Sequence, residues 1–555
     1  MKFRRLTVLT TAAVLGLTLA ACADNGEGSG SQGSSQTRSD DGRDMLETHG
    51  PEAIADADGS GLDVSARFFE SADALVVSAD SVAAQRRAAE EAISRSVPMV
   101  EFTGENSDAI LAEAERLGAD TVVTVGEVPG LVTEGTDITV ENIPVDAAQA
   151  PAQEGETGVE TPPAAPDEDP AAGEHPIDQG TAVDLETSPD EAQNEAHSAR
   201  EQLVADVAGM AAGGEDHPVA LPPIFVTEES SAASVATAKA AGGDVHLLDY
   251  PDPRITTESM ELAAVGDTLA LGGQFGDSAH YAEVVSLADN GELPGGGGLA
   301  FPGRRMVALY GHPSGEALGL MGEQPPAEAA ARVEELVAQY QPLEEQPVIP
   351  AFEIIVTVAS GDPGDDGNYS NEFPVEDYVS YIDAITEAGG YAVLDLQSGR
   401  ATFLDQAKLY EELLKRPNVG LAIDPEWRIG PDEMPMQRIG NTTAEEVNEV
   451  SQWLADLTAD NNLPQKVFIV HQFQSGMIEG RENVDTSHPE LAFVLHADGH
   501  GTPDLKFGTW NVLQQGLVGE WFMAWKNFID EDTPTFSPEQ TYTEVDPRPW
   551  FVSYQ

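Results

Sequence analysis

The sequence predicts an α/β protein in which a doubly wound, repeat-like β/α region precedes a C-terminal (β/α)₈ barrel of the TIM type. Two observations indicate this class. Short apolar runs alternate with helical patterns in both halves of the 555-residue chain, and this order builds parallel sheets with crossover helices. Six such units follow one another within residues 301–555, which favours a closed barrel over an open sheet.

The first residues have the features of an export signal. "MKFRR" supplies a basic start, residues 6–19 are mostly apolar, and small residues lead to Cys22, the single cysteine of the sequence. Segments in this order are typical of a secretory signal peptide. The ending "LAAC" resembles the lipobox of bacterial lipoproteins, which implies that residues 1–22 are a signal peptide and that Cys22 is acylated. We therefore expect an extracytoplasmic protein of the cell envelope, held on the membrane by lipid.

The net charge restricts the partners of the protein. The sequence has 97 Asp and Glu against 27 Lys and Arg, a formal net charge of −70. Because phosphate backbones are bound by clustered cations, this balance excludes nucleic acid as a partner. Two segments poor in large apolar residues, 23–60 and 143–187, are predicted to be a disordered tether and a disordered acidic, Pro-rich insert. The insert separates two β/α units, residues 61–142 and 188–300.

Strands and helices alternate within both of these units. The predicted strands are residues 74–79, 98–104, 120–128, 222–230, 244–250 and 267–273. The predicted helices are residues 81–96, 106–119, 188–214 and 231–243. Ser81 is placed to cap the start of the first helix, and Gly118 follows the second where a left-handed cap is favoured.

This region resembles the second type of cell-wall-binding repeat. "ARFFESADALVVSA" resembles the start of the repeat unit, with Arg67, Phe68 and Ala72 in place, and "LGADTVVTVG" at residues 117–126 resembles its end. "VPM" and "PPIFVT" resemble the inner strand of the unit, which begins with proline. The resemblance covers residues 62–275 and implies that cell-wall polysaccharide or peptidoglycan is the partner. The alternative is a doubly wound domain without wall-binding function.

Six apolar runs in the C-terminal half are predicted as barrel strands. They are residues 305–312, 352–359, 390–397, 419–427, 466–473 and 491–500. Helical patterns separate the first five, at residues 325–341, 375–390, 401–416 and 443–460. For the last two strands three candidates remain: residues 505–511, 519–528 and 549–555.

The fourth of these strands ends in two carboxylates. Along "GLAIDPE", Ala422, Asp424 and Glu426 share one face, and Leu421 and Ile423 share the other. Parallel barrel strands all end at one rim, so polar side chains on the inner face there converge on a common cleft. The same period places further polar residues at this rim: Asp395, Gln397, His471, His496, Asp498 and His500.

The C-terminal half resembles glycosidase-like barrels of bacterial envelope proteins, which implies a glycan substrate. Glycoside hydrolysis uses two carboxyl groups across a cleft. Burial beside Trp427 suits Glu426 to the role of acid, with Asp395 or Asp424 as its partner. The residues expected to contact the glycan are Trp427, Gln397, His471, His496, Asp498 and Trp525, with Trp510 and Trp521 as further aromatic surfaces.

Two other interpretations of the rim stay open. The carboxylates could be structural partners of Arg400 and Arg428 in a non-catalytic surface lipoprotein that only binds cell-wall polymer. Alternatively, "HADGH" with His471 could bind zinc or manganese. The oxygen-rich segment at residues 360–372 is a weaker candidate for a divalent cation. Beyond such a cation, the sequence indicates no cofactor.

Overall fold

The computed structural model describes residues 44–131, 137–145, 189–213 and 217–555. Cys22 and most of the predicted insert lie outside these residues. Within the described ranges, no helix combines the length and the apolar character that a membrane span requires.

The first β/α unit is built on a sheet of four parallel strands. In spatial order they are Met99–Glu101, Ala74–Ser78, Thr121–Val125 and Thr139–Ile143. The helices of this unit are Leu62–Phe68, Val82–Arg95 and Ser107–Leu117. Ser81 accepts a hydrogen bond from the Ala84 N–H, and Gly118 has a φ of 69°, so both predicted caps are present.

A second parallel sheet of four strands forms the other unit. In spatial order these strands are Glu52–Ile54, Leu269–Leu271, Ile224–Val226 and Val245–Leu247. The helices are Pro189–Ala208, Ala232–Ala240, Thr257–Ala263 and Ser278–Ser286. A short pair, Asp44–Met45 with Val219–Ala220, lies beside them.

The prediction of a disordered tether over residues 23–60 is wrong at its C-terminal end. Glu52–Ile54 is an edge strand, paired in register with Leu269–Leu271. Asp56 accepts hydrogen bonds from the Gly61 N–H and the Ser234 hydroxyl. The polar composition of this segment does not indicate a strand, because the segment is ordered by partners that lie more than 150 positions later in the chain.

The two sheets share one hydrophobic core. Helix Ala232–Ala240 is buried along its whole length and packs among side chains of both sheets. Its Thr237 hydroxyl accepts a hydrogen bond from the Met99 N–H at 3.0 Å and donates one to the Met99 carbonyl at 2.9 Å. The two sequence units are therefore joined at the level of their core.

Eight parallel strands close a barrel in the C-terminal half, which confirms the predicted barrel. We number them β1 to β8: Arg305–Gly311, Val348–Ala359, Tyr391–Leu396, Val419–Ile423, Lys466–Gln472, Leu491–Ala497, Phe522–Asn527 and Phe551–Tyr554. Each strand pairs with the next, and β1 pairs with both β2 and β8. A short antiparallel strand, Ser370–Glu372, pairs with the end of β2.

Helices cover most of the outer face of the barrel. They are Pro326–Tyr340, Glu376–Glu387, Phe403–Leu409, Glu411–Leu414, Ala444–Asp460, Pro503–Leu513 and Pro538–Glu544. Of the three candidates for the last strands, residues 519–528 and 549–555 contain β7 and β8, whereas residues 505–511 lie in a helix. Pro503 at the first helical position and Asp504 in the first turn favour that helix start.

Side chains alternate between the two faces of the barrel as the sequence predicts. Leu421 and Ile423 of β4 pack outward with the helices, whereas Ala422 packs inside. The lower interior is filled by apolar residues from all eight strands, most of them small or branched: Ala308, Ala351, Val393, Ala422, Ile469, Val494, Ala524 and the aromatic Phe551. Towards the C-terminal end of the strands, polar side chains replace them.

Candidate functional site

A cleft of about 520 Å³ opens at the C-terminal end of the barrel. Polar groups come from the ends of several strands, and apolar and aromatic groups from the loops. The polar lining includes Gln397, Asp424, Glu426, Asp498, His500 and Lys526; the aromatic lining is Tyr310, Trp427, Phe473 and Phe528. This is the position at which barrel enzymes carry their active sites.

Asp424 turns the chain where β4 ends. Its backbone N–H donates to the Leu396 carbonyl at 3.0 Å, and its Oδ1 accepts from the Glu426 N–H at 3.2 Å. The carboxylate thereby caps a 3-10 turn, Pro425–Trp427, which starts with proline. This turn takes Glu426 and Trp427 off the strand and into the cleft.

The carboxyl groups of this turn hold their protons more strongly than free ones. Burial raises the pKa of Glu426 to about 6, and the negative charge of Asp498 contributes. Burial also raises the pKa of Asp424 well above its usual value. Removal from water disfavours the charged form of a carboxyl group, so the cleft contains groups that can donate a proton near neutral pH.

A fully buried network lies beneath the cleft. The His471 Nε2 is 2.8 Å from Glu353 Oε1, and its Nδ1 is 3.0 Å from Asp498 Oδ2. The imidazole of His496 lies beside it with the ring planes tilted by 47° and the ring centroids 4.6 Å apart, and its Nε2 is 3.1 Å from the Ser553 hydroxyl. The side chains of Glu353, His471 and His496 have no solvent exposure.

Asp395 connects this network to the wall of the barrel. Its Oδ2 accepts from the Tyr310 hydroxyl at 2.8 Å, and its Oδ1 is 3.9 Å from His471 Nε2. The ammonium of Lys526 lies 3.6 Å from the centroid of the Tyr310 ring. A cation over an aromatic face is stabilised by the ring quadrupole, so Lys526 supplies positive charge among these carboxylates.

Charges within the network shift its pKa values in opposite directions. Burial raises the pKa of Glu353, but His496 and His471 outweigh it and hold that pKa well below the usual value. Burial lowers the pKa of His471, but Glu353 and Asp395 hold it well above the usual value. Burial also raises the pKa of Asp395. These directions describe Glu353 and His471 as an ion pair.

Three of these residues could hold a metal ion. One ligand atom from each of Glu353, His471 and His496 lies within 4.8 Å of the others. Several polar atoms of the network have no hydrogen-bond partner among the described residues: Glu353 Oε2, Asp395 Oδ1, His496 Nδ1 and Asp498 Oδ1.

The structure brings together most of the residues that the sequence placed at the rim. Gln397, Asp424, Glu426, Trp427, Asp498 and His500 line the cleft. Asp395, His471 and His496 lie below its floor and are fully buried. Their strand positions converge as predicted, but their burial places them out of contact with a molecule in the cleft.

Trp525 does not belong to the cleft, and its predicted role in sugar binding is wrong. Its indole is 1% exposed, donates to Asn527 Oδ1 at 2.9 Å, and packs on Trp510 with ring centroids 5.5 Å apart. Along β7, Ala524 and Lys526 face the interior, so the alternation turns Trp525 outward. Trp510 is equally buried in this outer cluster, and Trp521 packs on Phe493 outside the barrel.

The alternative that arginines neutralise the rim carboxylates is not supported. Arg428 pairs with Glu446 at 3.0 Å, and Arg400 donates to the Glu433 carbonyl at 2.8 Å. Neither bond involves a carboxylate of the cleft. Asp424 instead accepts from a backbone N–H, and Asp498 pairs with His471.

The acidic segment at residues 360–372 is a turn whose carboxylates accept local hydrogen bonds. Asp362 Oδ1 accepts from the Gly364 N–H at 3.0 Å, and Asp366 Oδ1 accepts from the Asn368 N–H at 3.1 Å. Carboxylates of this kind mimic a backbone turn. These bonds explain the composition of the segment, and a bound cation there stays a prediction.

Sequence reasoning missed Glu353, Tyr310 and Lys526. Glu353 sits within the apolar run "FEIIVTVA" and Lys526 within "FMAWKNF". A single charged residue inside an otherwise buried strand is costly unless it is paired. A charged residue within an apolar run was therefore the signal in the sequence, because it marks a position where the interior of the barrel must be polar.

Comparisons with known proteins give little beyond this geometry. No family model matches the chain, and no curated protein matches it. Among solved structures, the endoglucanase Cel6 from Mycobacterium tuberculosis, in complex with methyl-cellobiosyl-4-deoxy-4-thio-β-D-cellobioside, is 14% identical over 39% of this chain, with a TM-score of 0.19. The chain spans 64% of the length of that endoglucanase chain. At this level of similarity the function has to be argued from the cleft itself.

Proposed function

We propose that the cleft of the barrel binds a glycan of the cell envelope and hydrolyses a glycosidic bond, with Glu426 as the proton donor. The observation that carries this proposal is a carboxyl group in an open cleft whose pKa is about 6. A general acid is most effective when its pKa lies near the working pH. Trp427 follows Glu426 in the same turn and offers an indole face for the apolar side of a sugar ring.

The second carboxyl group of the mechanism is assigned to Asp498. Asp395, which the sequence favoured, is fully buried and accepts from the Tyr310 hydroxyl. Asp424 lines the cleft, but its Oδ1 caps the turn that carries Glu426. Asp498 lines the same cleft, and its Oδ1 has no hydrogen-bond partner within the described part of the chain. Because this oxygen is buried, the carboxyl group would have to rotate towards the cleft to act as the base or nucleophile that glycoside hydrolysis needs.

The pH dependence of hydrolysis tests the role of Glu426. The purified full-length chain is incubated with a panel of envelope glycans, and released reducing ends are measured between pH 4 and 9. An acid catalyst must be protonated, so kcat/KM is expected to fall as pH rises through about 6, approaching tenfold per pH unit above it. A rate that is constant from pH 5 to 8 contradicts this assignment. Binding without hydrolysis of any glycan supports the non-catalytic alternative instead.

We also propose that the protein is exported and anchored by lipid on Cys22, and that its N-terminal region binds cell-wall polymer. The order of basic, apolar and small residues before the single cysteine supports the anchor. An anchored chain would hold the barrel close to the polymer that we propose as its substrate.

Cys22→Ser is expected to move the protein from the membrane fraction to the soluble extracytoplasmic fraction, because the acylated thiol is lost. Immunoblots of fractionated cells measure this distribution. Ser60→Ala, which leaves the cysteine intact, serves as the control and stays with the membrane. Unchanged fractionation of Cys22→Ser rejects the lipid anchor.

A further inference from the structure

The network beneath the cleft contains more polar atoms than it can satisfy by itself. An ion pair of His471 with Glu353 and Asp498 accounts for both nitrogens of that imidazole. It leaves Glu353 Oε2, Asp395 Oδ1, His496 Nδ1 and Asp498 Oδ1 buried with no hydrogen-bond partner among the described residues. Because each such atom costs free energy when it is removed from water, the ion pair alone does not explain the site.

Both imidazoles are oriented by an outer partner. Asp498 holds Nδ1 of His471, and the Ser553 hydroxyl holds Nε2 of His496. The remaining nitrogen of each ring is directed at the same oxygen, Glu353 Oε1. Histidines that bind metal typically donate their second nitrogen to a carboxylate or a similar acceptor, which fixes the ring and its tautomer.

The separations of the inner atoms fit a common ion. His471 Nε2 is 2.8 Å from Glu353 Oε1, and His496 Nδ1 is 3.6 Å from the same oxygen. Asp395 Oδ1 lies 3.9 Å from His471 Nε2. Ligand atoms at about 2.0–2.1 Å from a tetrahedral zinc ion are roughly 3.3 Å apart, so small side-chain movements bring these atoms into coordination.

We propose that Glu353, His471 and His496 bind one divalent transition-metal ion of the zinc class inside the barrel, with Asp395 as a further oxygen ligand. The ion satisfies Asp395 Oδ1 and His496 Nδ1, and its charge offsets the carboxylates gathered there. Two imidazoles and carboxylate oxygens are a ligand set for zinc, cobalt or manganese, whereas magnesium and calcium prefer oxygen alone. The ligands lie below the floor of the cleft, so this site is separate from Glu426. Asp498 links the two sites, because it orients His471 and also lines the cleft.

Titration with Co²⁺ tests this site in the absence of any glycan. The purified full-length chain is stripped with a chelator and titrated in excess Mg²⁺, which occupies oxygen-only sites on the acidic surface. We expect one equivalent of Co²⁺ to bind with a saturable visible absorption band, one equivalent of Zn²⁺ to abolish that band, and the Tm to rise when either ion is bound. A wild-type chain that binds no Co²⁺ above the Mg²⁺ background overturns the proposal.

Two variants and one matched control locate the ion. Glu353→Gln and His496→Asn are each expected to remove the band, whereas His312→Asn is expected to keep it. His312 is also a buried histidine of the barrel, but it pairs with Ser314 and Tyr378 away from the network. Retention of the wild-type band by both site variants overturns the assignment. If circular dichroism shows that a variant does not fold, the wild-type titration decides.

Discussion

Glu426→Gln is expected to lower kcat for glycan hydrolysis by about two to four orders of magnitude, the contribution of a positioned general acid. Glutamine keeps the shape of the side chain but has no proton to give to the leaving group. The free energy of unfolding is expected to change by less than about 1 kcal/mol, because the substitution removes a charge next to other carboxylates without opening a cavity. Initial rates and thermal unfolding of the purified variant measure the two effects.

The matched control for this variant is Glu479→Gln. Glu479 is exposed in the short strand Ile478–Glu479 that follows β5, outside the lining of the cleft. It is expected to keep the wild-type rate. Hydrolysis by Glu426→Gln at the wild-type rate would refute its role as the acid. A large loss of stability would identify Glu426 as a structural residue.

Asp532→Ala is expected to destabilise the barrel by roughly 3–5 kcal/mol, because it leaves a buried ammonium without its counter-charge. Lys506 and Asp532 form an ion pair in which both side chains are almost fully buried. Lys506 also donates to the Lys526 carbonyl at 2.6 Å. Asp532 accepts from the N–H groups of Gly501 and Phe528, so alanine removes these bonds as well. Denaturant unfolding followed by circular dichroism measures the loss.

An exposed ion pair provides the comparison. Glu323 and Arg332 pair on the outer surface, with both side chains more than a third exposed. Pairs of this kind contribute about 0–1 kcal/mol because water screens them and two flexible side chains are ordered. Glu323→Gln is therefore expected to leave the denaturation midpoint nearly unchanged. A similar shift for both variants would show that the buried pair is no more important than the surface one.

The barrel was largely predictable because its strands differ strongly from its helices in the spacing of apolar residues. The run at β4 places Leu421 and Ile423 outward and Ala422 inward, as the period of two requires. The helix Pro503–Leu513 was harder, because "LKFGTWN" begins with an alternation of apolar and other residues that also suits a strand. Its proline at the first helical position was the distinguishing signal.

The sequence predicted only those site residues that lie at the ends of strands. Asp424, Glu426 and Asp498 follow directly after apolar runs and do line the cleft. Glu353 lies in the middle of the long strand β2, so reasoning from strand ends passed over it. The direction of Trp525 depends on the register of β7, which an aromatic-rich sequence does not reveal without its neighbours. The spacing of apolar and polar residues thus indicates which face of a strand a side chain lies on, but not how deep the residue lies along the barrel axis.

The helix Ala232–Ala240, buried on every side, limits how the N-terminal half can be divided. Each of the two sheets buries part of the surface of this helix. One sheet comes largely from residues before the acidic insert, and the other largely from residues after it. Expression of either half by itself would leave alanine and valine side chains in water. Recombination between relatives at the insert would likewise join packing surfaces that did not evolve together. We therefore expect the two sheets to be inherited together and to unfold as one cooperative unit.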